Sequence, residues 1–306
     1  MRIDRPSLTA SLVALARGVA SSASTLDGAP VDAFAHDLLP LPFALLHRAI
    51  EAGAAALPAL APIWNLASFG LIDHMAVRTA AIDQALRAAI SLGATQLVIL
   101  GAGLDARALR LPELRALTTY EVDHPATQRY KRSRLEAVDN GGDGSASSGP
   151  GPRGRRRGND GGVRFVPVDF QREFFAGALA AAGHDPARKT FWIWEGVTMY
   201  LRPAAIRATL EAMAARSSPG SRAAITYLTP DAPMLPALRS LARLALRVIG
   251  EPLIGLMPSS ELRALLGATG FEVIRDGSLD IWARDFGDTR VRNLHVPSHL
   301  VIAERG

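Results

Sequence analysis

The sequence predicts an α/β protein with a doubly wound, mostly parallel seven-stranded sheet and a helical lid at its N-terminus. Apolar runs rich in β-branched and aromatic residues alternate with helical patterns from residue 95 onward, which indicates strand–helix units. The first run leads into a glycine turn, Gly101-Ala102-Gly103, and the second ends on a carboxylate, Asp123. In parallel sheets that bind nucleotides, such glycines let the backbone approach the ligand, and such an acid meets the ribose hydroxyls. The sequence therefore predicts a site for an adenosine-containing cofactor.

The N-terminal part, residues 1–92, is predicted to form the lid. Residues 7–91 look helical throughout, and Asp73 is a candidate cap for a helix that stops at Gly93. The remainder, residues 93–306, is predicted to be the nucleotide-binding domain.

The elements of this second domain follow one another in order. Glycines and prolines mark the ends of the helices, while apolar runs mark the strands. The predicted strands are 95–100, 118–123, 163–168, 190–195, 222–228, 271–275 and 295–303. The predicted helices are one or two short ones in 104–117, then 125–138, 171–182, one that Pro203 opens, and one that Ser259 caps and Gly270 ends.

Two segments interrupt the alternation of strands and helices. Residues 139–162 carry almost no apolar side chain, so burial cannot offset their ordering entropy and a disordered insertion is predicted. Residues 230–258 are predicted to hold an extra apolar helix. The first insertion contains four of the arginines behind the net charge of +5, but no aromatic residues are interleaved with them. No nucleic-acid partner is therefore expected.

Composition narrows the classes of protein that remain. Of the 306 residues, 48% are hydrophobic and 21% are charged, which is ordinary for a globular protein. The chain has no cysteine, so disulfides and thiolate chemistry are excluded. Charged residues and prolines interrupt the apolar region 41–72, so no membrane span is predicted, and a cytoplasmic location is expected. Motifs for metal hydrolysis and phosphoryl transfer are missing from the sequence, and no metal is expected.

Acidic residues at the predicted strand ends bear on which cofactor binds. Asp105 lies directly behind the glycines, Asp169 follows the third strand and Glu195 ends the fourth. A carboxylate can accept from an adenine amino group or face an ammonium or sulfonium group. These acids suit S-adenosylmethionine, which is cationic and has no phosphates. The glycine pattern also fits G-x-G-x-x-A, so an NAD(P)-dependent oxidoreductase remains an alternative, as does a cofactor-binding protein without activity.

Several stretches together resemble the leucine carboxyl methyltransferase family, whose bacterial branch contains S-adenosylmethionine-dependent O-methyltransferases. The resemblance covers about residues 74–228 in order. It implies a Rossmann-like fold of the class I methyltransferase type. The stretches that carry it are Arg78-Thr-Ala-Ala-Ile-Asp83, Val98-Ile-Leu-Gly-Ala-Gly-Leu-Asp-Ala-Arg107, Tyr120-Glu-Val-Asp-His-Pro125, Val168-Asp-Phe170 and Trp194-Glu-Gly-Val-Thr-Met-Tyr-Leu201.

The resemblance also implies a role for each candidate cofactor-binding residue. The turn Gly101-Ala102-Gly103 would pass its backbone under the methionine part, and Asp123 would hold the ribose hydroxyls. Asp169 and the backbone of Phe170 would hold adenine, although the family usually has leucine where Phe170 stands. Arg78 would pair with the methionine carboxylate, and Glu195 would lie near its ammonium group.

Each of these residues also has a purely structural interpretation. The glycines could simply make a tight turn, and Asp123 could cap the helix before Pro125. Glu121 shares a strand face with Asp123 and could take over its role.

The remaining three candidates have structural alternatives as well. Asp169 could cap the helix that follows it. Glu195 could be a solvated strand end, and Arg78 could be a surface charge on a helix.

The methyl acceptor is expected to be a small molecule or a peptide end with an oxygen nucleophile. A carboxylate acceptor needs no general base; for a hydroxyl acceptor, His74, Tyr200 and His295 are candidate bases, and no catalytic residue is assigned. Apolar side chains of the lid and of the second insertion suggest a mostly apolar acceptor. They are Leu41, Phe43, Trp64, Phe69, Leu235 and Leu241.

Overall fold

A computed structural model of the protein shows a central sheet with helices on both faces. It describes residues 6–24, 29–57, 63–64, 67–68, 70–139, 162–170, 174–230, 253–286 and 298–306. The predicted disordered insertion falls almost wholly on residues 140–161, outside the described residues, and so do residues 231–252 of the predicted extra helix.

The sheet has seven strands in the order β3-β2-β1-β4-β5-β7-β6, and β7 is antiparallel to both of its neighbours. The other neighbouring pairs are parallel, so the predicted doubly wound, mostly parallel sheet is confirmed. The strands are β1 (Gln96–Leu100), β2 (Thr118–Asp123), β3 (Val163–Pro167), β4 (Thr190–Trp194), β5 (Arg222–Leu228), β6 (Phe271–Ser278) and β7 (Ser298–Arg305).

Helices precede the sheet and connect its strands. Of the described helices, five come before β1, in agreement with the predicted helical N-terminal region, and the others lie between strands. The helices are α1 (Leu8–Gly18), α2 (Ala20–Ala23), α3 (Ala35–Leu38), α4 (Leu41–Ala56), α5 (Leu71–Ser91), α6 (Arg107–Arg110), α7 (Pro125–Asp139), α8 (Phe175–Ala181), α9 (Pro203–Ala215), α10 (Ser259–Ala268) and α11 (Leu279–Ala283). Single 3-10 turns lie at Pro112–Ala116, Thr198–Tyr200 and Arg284–Phe286.

The core forms two layers, one on each face of the sheet. Along β1, Leu97 and Ile99 pack into the layer under α5 and the N-terminal helices, while Val98 and Leu100 pack into the layer under α8, α9 and α10. This alternation is the period of two that a pleated strand imposes. All five residues of β1 are buried, as expected of a central parallel strand covered on both faces.

Three local predictions were wrong. The N-terminal region is not helical throughout, because residues 29–34 contain no helix and Pro40 stands just before α4. Asp73 does not cap α5, because the helix already begins at Leu71. The capping position is Gly70, whose φ of 78° is left-handed and therefore cannot belong to the helix. Ser259 is the first residue of α10 rather than its cap, which is Pro258.

Candidate functional site

The glycine turn follows β1 at the carboxyl edge of the sheet. Gly101 and Gly103 have φ values of 70° and 52°, in the left-handed region that favours glycine. A Cβ on Gly101 would lie 2.3 Å from Cγ2 of Val197, so only glycine fits there. Among the described residues, a Cβ on Gly103 would meet Cβ of Ala10 and the Gly101 carbonyl oxygen, at 3.7 and 3.9 Å. Gly101 is therefore required by packing, whereas Gly103 keeps backbone open at the candidate site.

Asp123 lies at the tip of β2 and faces this turn. Its Oδ2 accepts a hydrogen bond from the amide of Gly103, and its Oδ1 accepts from the amide of His124. The amide of Ala126, in the first turn of α7, donates to the His124 side chain at 3.2 Å. The helix cap is thus His124, which argues against the capping alternative for Asp123. Burial raises the pKa of Asp123, and the two backbone donors oppose that shift.

Glu121, the alternative to Asp123, is held in the interior. Its carboxylate accepts from Nζ of Lys131 at 2.6 Å, and Lys131 also donates to the Asp105 carbonyl. Both charged side chains are buried, and burial raises the pKa of Glu121. The geometry therefore favours Asp123 over Glu121 as the carboxylate available to a ligand.

Glu195 follows β4 and is bound by two arginines. Its Oε1 accepts from Nε of Arg78 at 2.7 Å, and its Oε2 accepts from Nη1 of Arg107 at 2.7 Å. The side chains of Glu195 and Arg78 are 10% and 4% exposed, so neither is a solvated surface charge. Burial alone would raise the pKa of Glu195, but the charges of Arg107 and Arg78 outweigh it and lower the pKa to about 2.

Arg107 links three carboxylates and is itself 0% exposed. Besides Glu195, its Nη1 contacts Asp105 and its Nε donates to Oδ1 of Asp83 on α5 at 2.8 Å. The other Asp83 oxygen lies 2.6 Å from Nη2 of Arg110. These contacts join the glycine turn, α5 and the β4 tip in one buried ion network.

The interpretation of Asp105 as an acid facing a cationic ligand was wrong. Asp105 is buried, and its side chain pairs with Arg107. Burial would raise the pKa of Asp105, but Arg107, Arg17 and Lys131 together hold it well below the usual value. The cation that this acid meets belongs to the protein.

Helix α1 is anchored to the same turn. Arg17, near its end, donates through Nη2 to the Leu104 carbonyl at 2.6 Å and through Nε to Asp32 at 2.7 Å. Arg17 and Asp32 are both buried. The N-terminal helices are therefore connected by hydrogen bonds to the backbone just after Gly103.

Asp169 and Phe170 follow β3 in the position expected from the sequence. The amide of Val168 donates to the Asp123 carbonyl at 2.9 Å, which brings the chain after β3 beside the tip of β2. Helix α8 begins only at Phe175, so Asp169 is not its cap. Phe170 packs against the core layer that holds Phe175.

The candidate general bases differ in what the structure shows of them. His74 lies one turn before Arg78 on α5 and is buried, and burial together with the charge of Arg78 lowers its pKa to about 3. Tyr200 is half-buried in the 3-10 turn after Glu195. His295 lies outside the described residues, as do Phe69, Leu235 and Leu241 of the predicted apolar lining.

The three described members of that lining do not share one environment. Leu41 is 72% exposed, whereas Phe43 and Trp64 pack against the core. Among the described residues, no helix is long and apolar enough to cross a membrane, and no three His, Asp or Glu side chains are grouped to hold a metal ion.

The partners that position the candidate residues were not predicted from the sequence. Asp83 and Arg107 lie within the stretches that carry the family resemblance, but no part in the site was predicted for them. None was predicted for Lys131 or Arg17 either. A signal was present for Asp83, because it lies three residues before Leu86 on the same buried face of α5, where an unpaired charge would be costly. No comparable signal pointed to Arg17.

Solved structures with the same overall fold span nearly the whole chain. A DUF574 family protein from Streptomyces avermitilis has a TM-score of 0.59 at 14% identity and covers 98% of each chain. A provisionally assigned methyltransferase from Thermobifida fusca YX has a TM-score of 0.55 at 15% identity, covering 99% of this chain and 96% of that one. At this level of identity the similarity establishes the fold alone.

Sequence comparison establishes the family. The family described as leucine carboxyl methyltransferase matches residues 10–214, so the chain belongs to that family. A Mycolicibacterium gilvum protein provisionally named an S-adenosyl-L-methionine-dependent methyltransferase is 37% identical over 183 residues, which is 60% of this chain and 52% of that protein. A protein of the same provisional name from Mycobacteroides abscessus is 39% identical over 160 residues, 52% of this chain and 45% of that protein. The chain thus spans about half the length of the curated relatives it matches.

Proposed function

We propose that the protein binds S-adenosylmethionine and transfers its methyl group to an oxygen nucleophile of a small molecule or a peptide end. One observation carries this proposal: two carboxylates, Asp123 and Glu195, and an open glycine turn meet at the carboxyl edge of the sheet in a member of the leucine carboxyl methyltransferase family. This edge is where ligands bind in open α/β sheets.

Asp123 is proposed to hold the ribose hydroxyls. Its two oxygens already accept from backbone amides of Gly103 and His124, and each carboxylate oxygen has a further lone pair. The turn Gly101-Ala102-Gly103 would lie beneath the methionine part, since a side chain at Gly103 would narrow that space. Asp169 and the backbone of Phe170 would contact adenine.

Arg78 and Glu195 are proposed to bind the two charged groups of the methionine part. Arg78 uses Nε for Glu195, and its Nη groups make no hydrogen bond within the described part of the chain. They can therefore donate to a carboxylate while Glu195 faces the ammonium group. S-adenosylmethionine supplies an activated methyl group on a sulfonium, so the protein mainly contributes alignment and the exclusion of water.

A carboxylate acceptor demands less of the described residues than a hydroxyl does, because it needs no general base. Removal of a proton from a hydroxyl needs a base whose pKa lies near the operating pH. His74, with a pKa of about 3, is a weak base at neutral pH. The acceptor is proposed to be a carboxylate of a small molecule or a peptide end.

Native mass spectrometry of the purified protein tests the cofactor. We expect a bound mass that matches S-adenosylmethionine or S-adenosylhomocysteine. Binding of NADH instead, detected as a change in its fluorescence on mixing, would contradict the proposal and support an oxidoreductase.

Radiolabel transfer tests the acceptor class. Protein supplied with methyl-labelled cofactor and a metabolite extract should label an organic-soluble fraction, and a methyl ester should release the label as methanol after mild base treatment. Base-stable label would point to a hydroxyl acceptor, and label found only in nucleic acid would overturn the proposed acceptor class.

A further inference from the structure

The Arg78–Glu195 ion pair raises a physical difficulty for ligand binding. Arg78 and Glu195 already bind each other at 2.7 Å, and a zwitterionic ligand would draw both of its charged contacts from these same two side chains. If Arg78 turned toward a ligand carboxylate and carried Glu195 with it, the ammonium group would lose its partner. Some other group has to keep the Glu195 carboxylate in place.

Arg107 is the group that the geometry offers. It binds Oε2, the carboxylate oxygen that Arg78 does not use, at 2.7 Å. It is rigidly held, because Asp83 binds its Nε at 2.8 Å and Asp105 binds its Nη1. No part of its side chain is exposed. A planar guanidinium with several fixed partners is a directional donor, which a flexible lysine ammonium is not.

We infer that Arg107 is a positioning residue that keeps the Glu195 carboxylate in place when Arg78 binds the ligand's carboxylate, so that Glu195 stays available to the ligand's ammonium group. The inference rests on the proposed function, since it assumes a ligand with an ammonium and a carboxylate. Asp83, which fixes the Arg107 guanidinium from α5, serves the same purpose at one step further from the ligand.

Two ligands separate positioning from a general role in stability. S-adenosylhomocysteine carries the amino-acid part, and 5′-methylthioadenosine has the same adenosine and sulfur but lacks it. Arg107→Lys keeps a charge but cannot reach Asp83, Asp105 and Glu195 with fixed geometry. We expect it to weaken S-adenosylhomocysteine binding about tenfold or more in calorimetric titration, the scale of one charge-assisted hydrogen bond, and to change methylthioadenosine binding less than twofold.

Arg110→Lys is the matched control. Arg110 shares Asp83 with Arg107 through a contact of 2.6 Å, and its ion pair does not involve Glu195. Its replacement should leave both affinities within twofold. If Arg107→Lys does not fold, judged by its thermal melt, Asp83→Asn replaces it, because that change loosens Arg107 without removing it. Asp83→Asn should likewise weaken the binding of S-adenosylhomocysteine and leave the binding of methylthioadenosine within twofold.

Each other outcome has a distinct meaning. Equal weakening of both ligands, or unchanged S-adenosylhomocysteine affinity in Arg107→Lys and Asp83→Asn, would overturn the positioning role while leaving the proposed function intact. Failure of the wild-type protein to bind S-adenosylhomocysteine would overturn the proposed function and this inference with it.

Discussion

The two ends of the candidate site hold their carboxylates by different means. At the β2 tip, Asp123 accepts from neutral backbone amides, and burial raises its pKa. At the β4 tip, Glu195 lies between two arginines that lower its pKa to about 2. The first arrangement suits a neutral, hydrogen-bonding group such as ribose. The second suits a charged ligand, because the carboxylate and guanidinium charges at the β4 tip are already balanced against one another before the ligand arrives.

The two arrangements also differ in how much they contribute to the stability of the fold. Backbone amides at a strand tip are set by the chain path, so Asp123 contributes little beyond its own hydrogen bonds. Buried ion pairs depend on every member, since removal of one partner leaves the others desolvated and unpaired. We therefore expect changes at the β4 end to affect stability as well as ligand affinity, and changes at the β2 end to affect mainly ligand affinity.

The largest effect is expected from Glu195→Ala. The substitution leaves Arg107 and Arg78 buried without this partner and should lower the free energy of unfolding by about 3–5 kcal/mol. Urea unfolding would measure it. Glu304→Ala is the control, because it breaks a 2.6 Å ion pair with Arg222 whose side chains are 38% and 21% exposed, and it should cost at most about 1 kcal/mol. Similar losses of unfolding free energy in both variants would show that the buried ion network contributes no more to stability than an exposed ion pair does.

Asp123→Ala should mainly affect affinity. Two charge-assisted hydrogen bonds to ribose, each contributing roughly 1.5–3 kcal/mol, imply a loss of about a hundredfold or more for S-adenosylhomocysteine. Titration calorimetry beside a thermal melt would show reduced affinity with a nearly unchanged melting temperature. Glu121→Gln serves as its control and should bind as the wild type does. Unchanged affinity in Asp123→Ala would shift the ribose role to Glu121.

Gly101→Ala should damage the turn that connects the two ends. The new Cβ would lie 2.3 Å from Val197, two residues after Glu195, and φ is 70°. Gly196→Ala is matched in φ, at 71°, but its new Cβ would meet no atom within 4 Å in the part of the chain that the structure describes. We expect about 1 kcal/mol lost at Gly196 from backbone strain and about 2–3 kcal/mol at Gly101, where overpacking adds to it. If chemical denaturation showed equal losses of stability in the two variants, the Val197 side chain would have to move away from the new Cβ at little cost.

The smallest effect is expected on acidification. The resulting change in stability should have opposite signs at Glu195 and at Asp123. The folded pKa of Glu195, about 2, lies below its ordinary 4.5, so its stabilisation is complete above about pH 5 and declines as pH falls toward 2. Asp123 has a raised folded pKa, so its ionised form costs stability and protonation relieves that cost. Between pH 5 and 3.5, Glu195→Gln should reduce the acid-induced loss by roughly 1 kcal/mol, while Asp123→Asn should slightly increase it. Identical shifts in both variants, measured by urea unfolding at each pH, would contradict these pKa directions.

The sheet could be predicted because each central strand carries its own signal. Residues 97–100 are apolar on both faces of the sheet, and the structure buries all of them. Chain order and the strand-end acids then place Asp123 and Glu195 on one edge without knowledge of any side-chain contact.

The ion network could not be predicted in the same way. Arg107 meets Asp83 across 24 positions and Glu195 across 88, and sequence alone does not say which of several nearby acids an arginine will face. Asp105 illustrates the problem, because its position behind the glycines fits a ligand contact equally well. The breaks in the N-terminal helices likewise depend on long-range contacts, such as the pairing of Arg17 with Asp32.

The hydrogen bond from Arg17 to the Leu104 carbonyl ties α1 to the backbone just after the glycine turn, so we expect ligand binding at the turn to be coupled to the order of this helix. Binding equilibria are reciprocal: if a ligand makes this helix more ordered, then a more ordered helix must raise affinity by the same factor. Hydrogen exchange of the α1 amides should therefore report occupancy of the turn without any label on the ligand. The same reciprocity allows candidate ligands of the turn to be screened by their effect on exchange in α1.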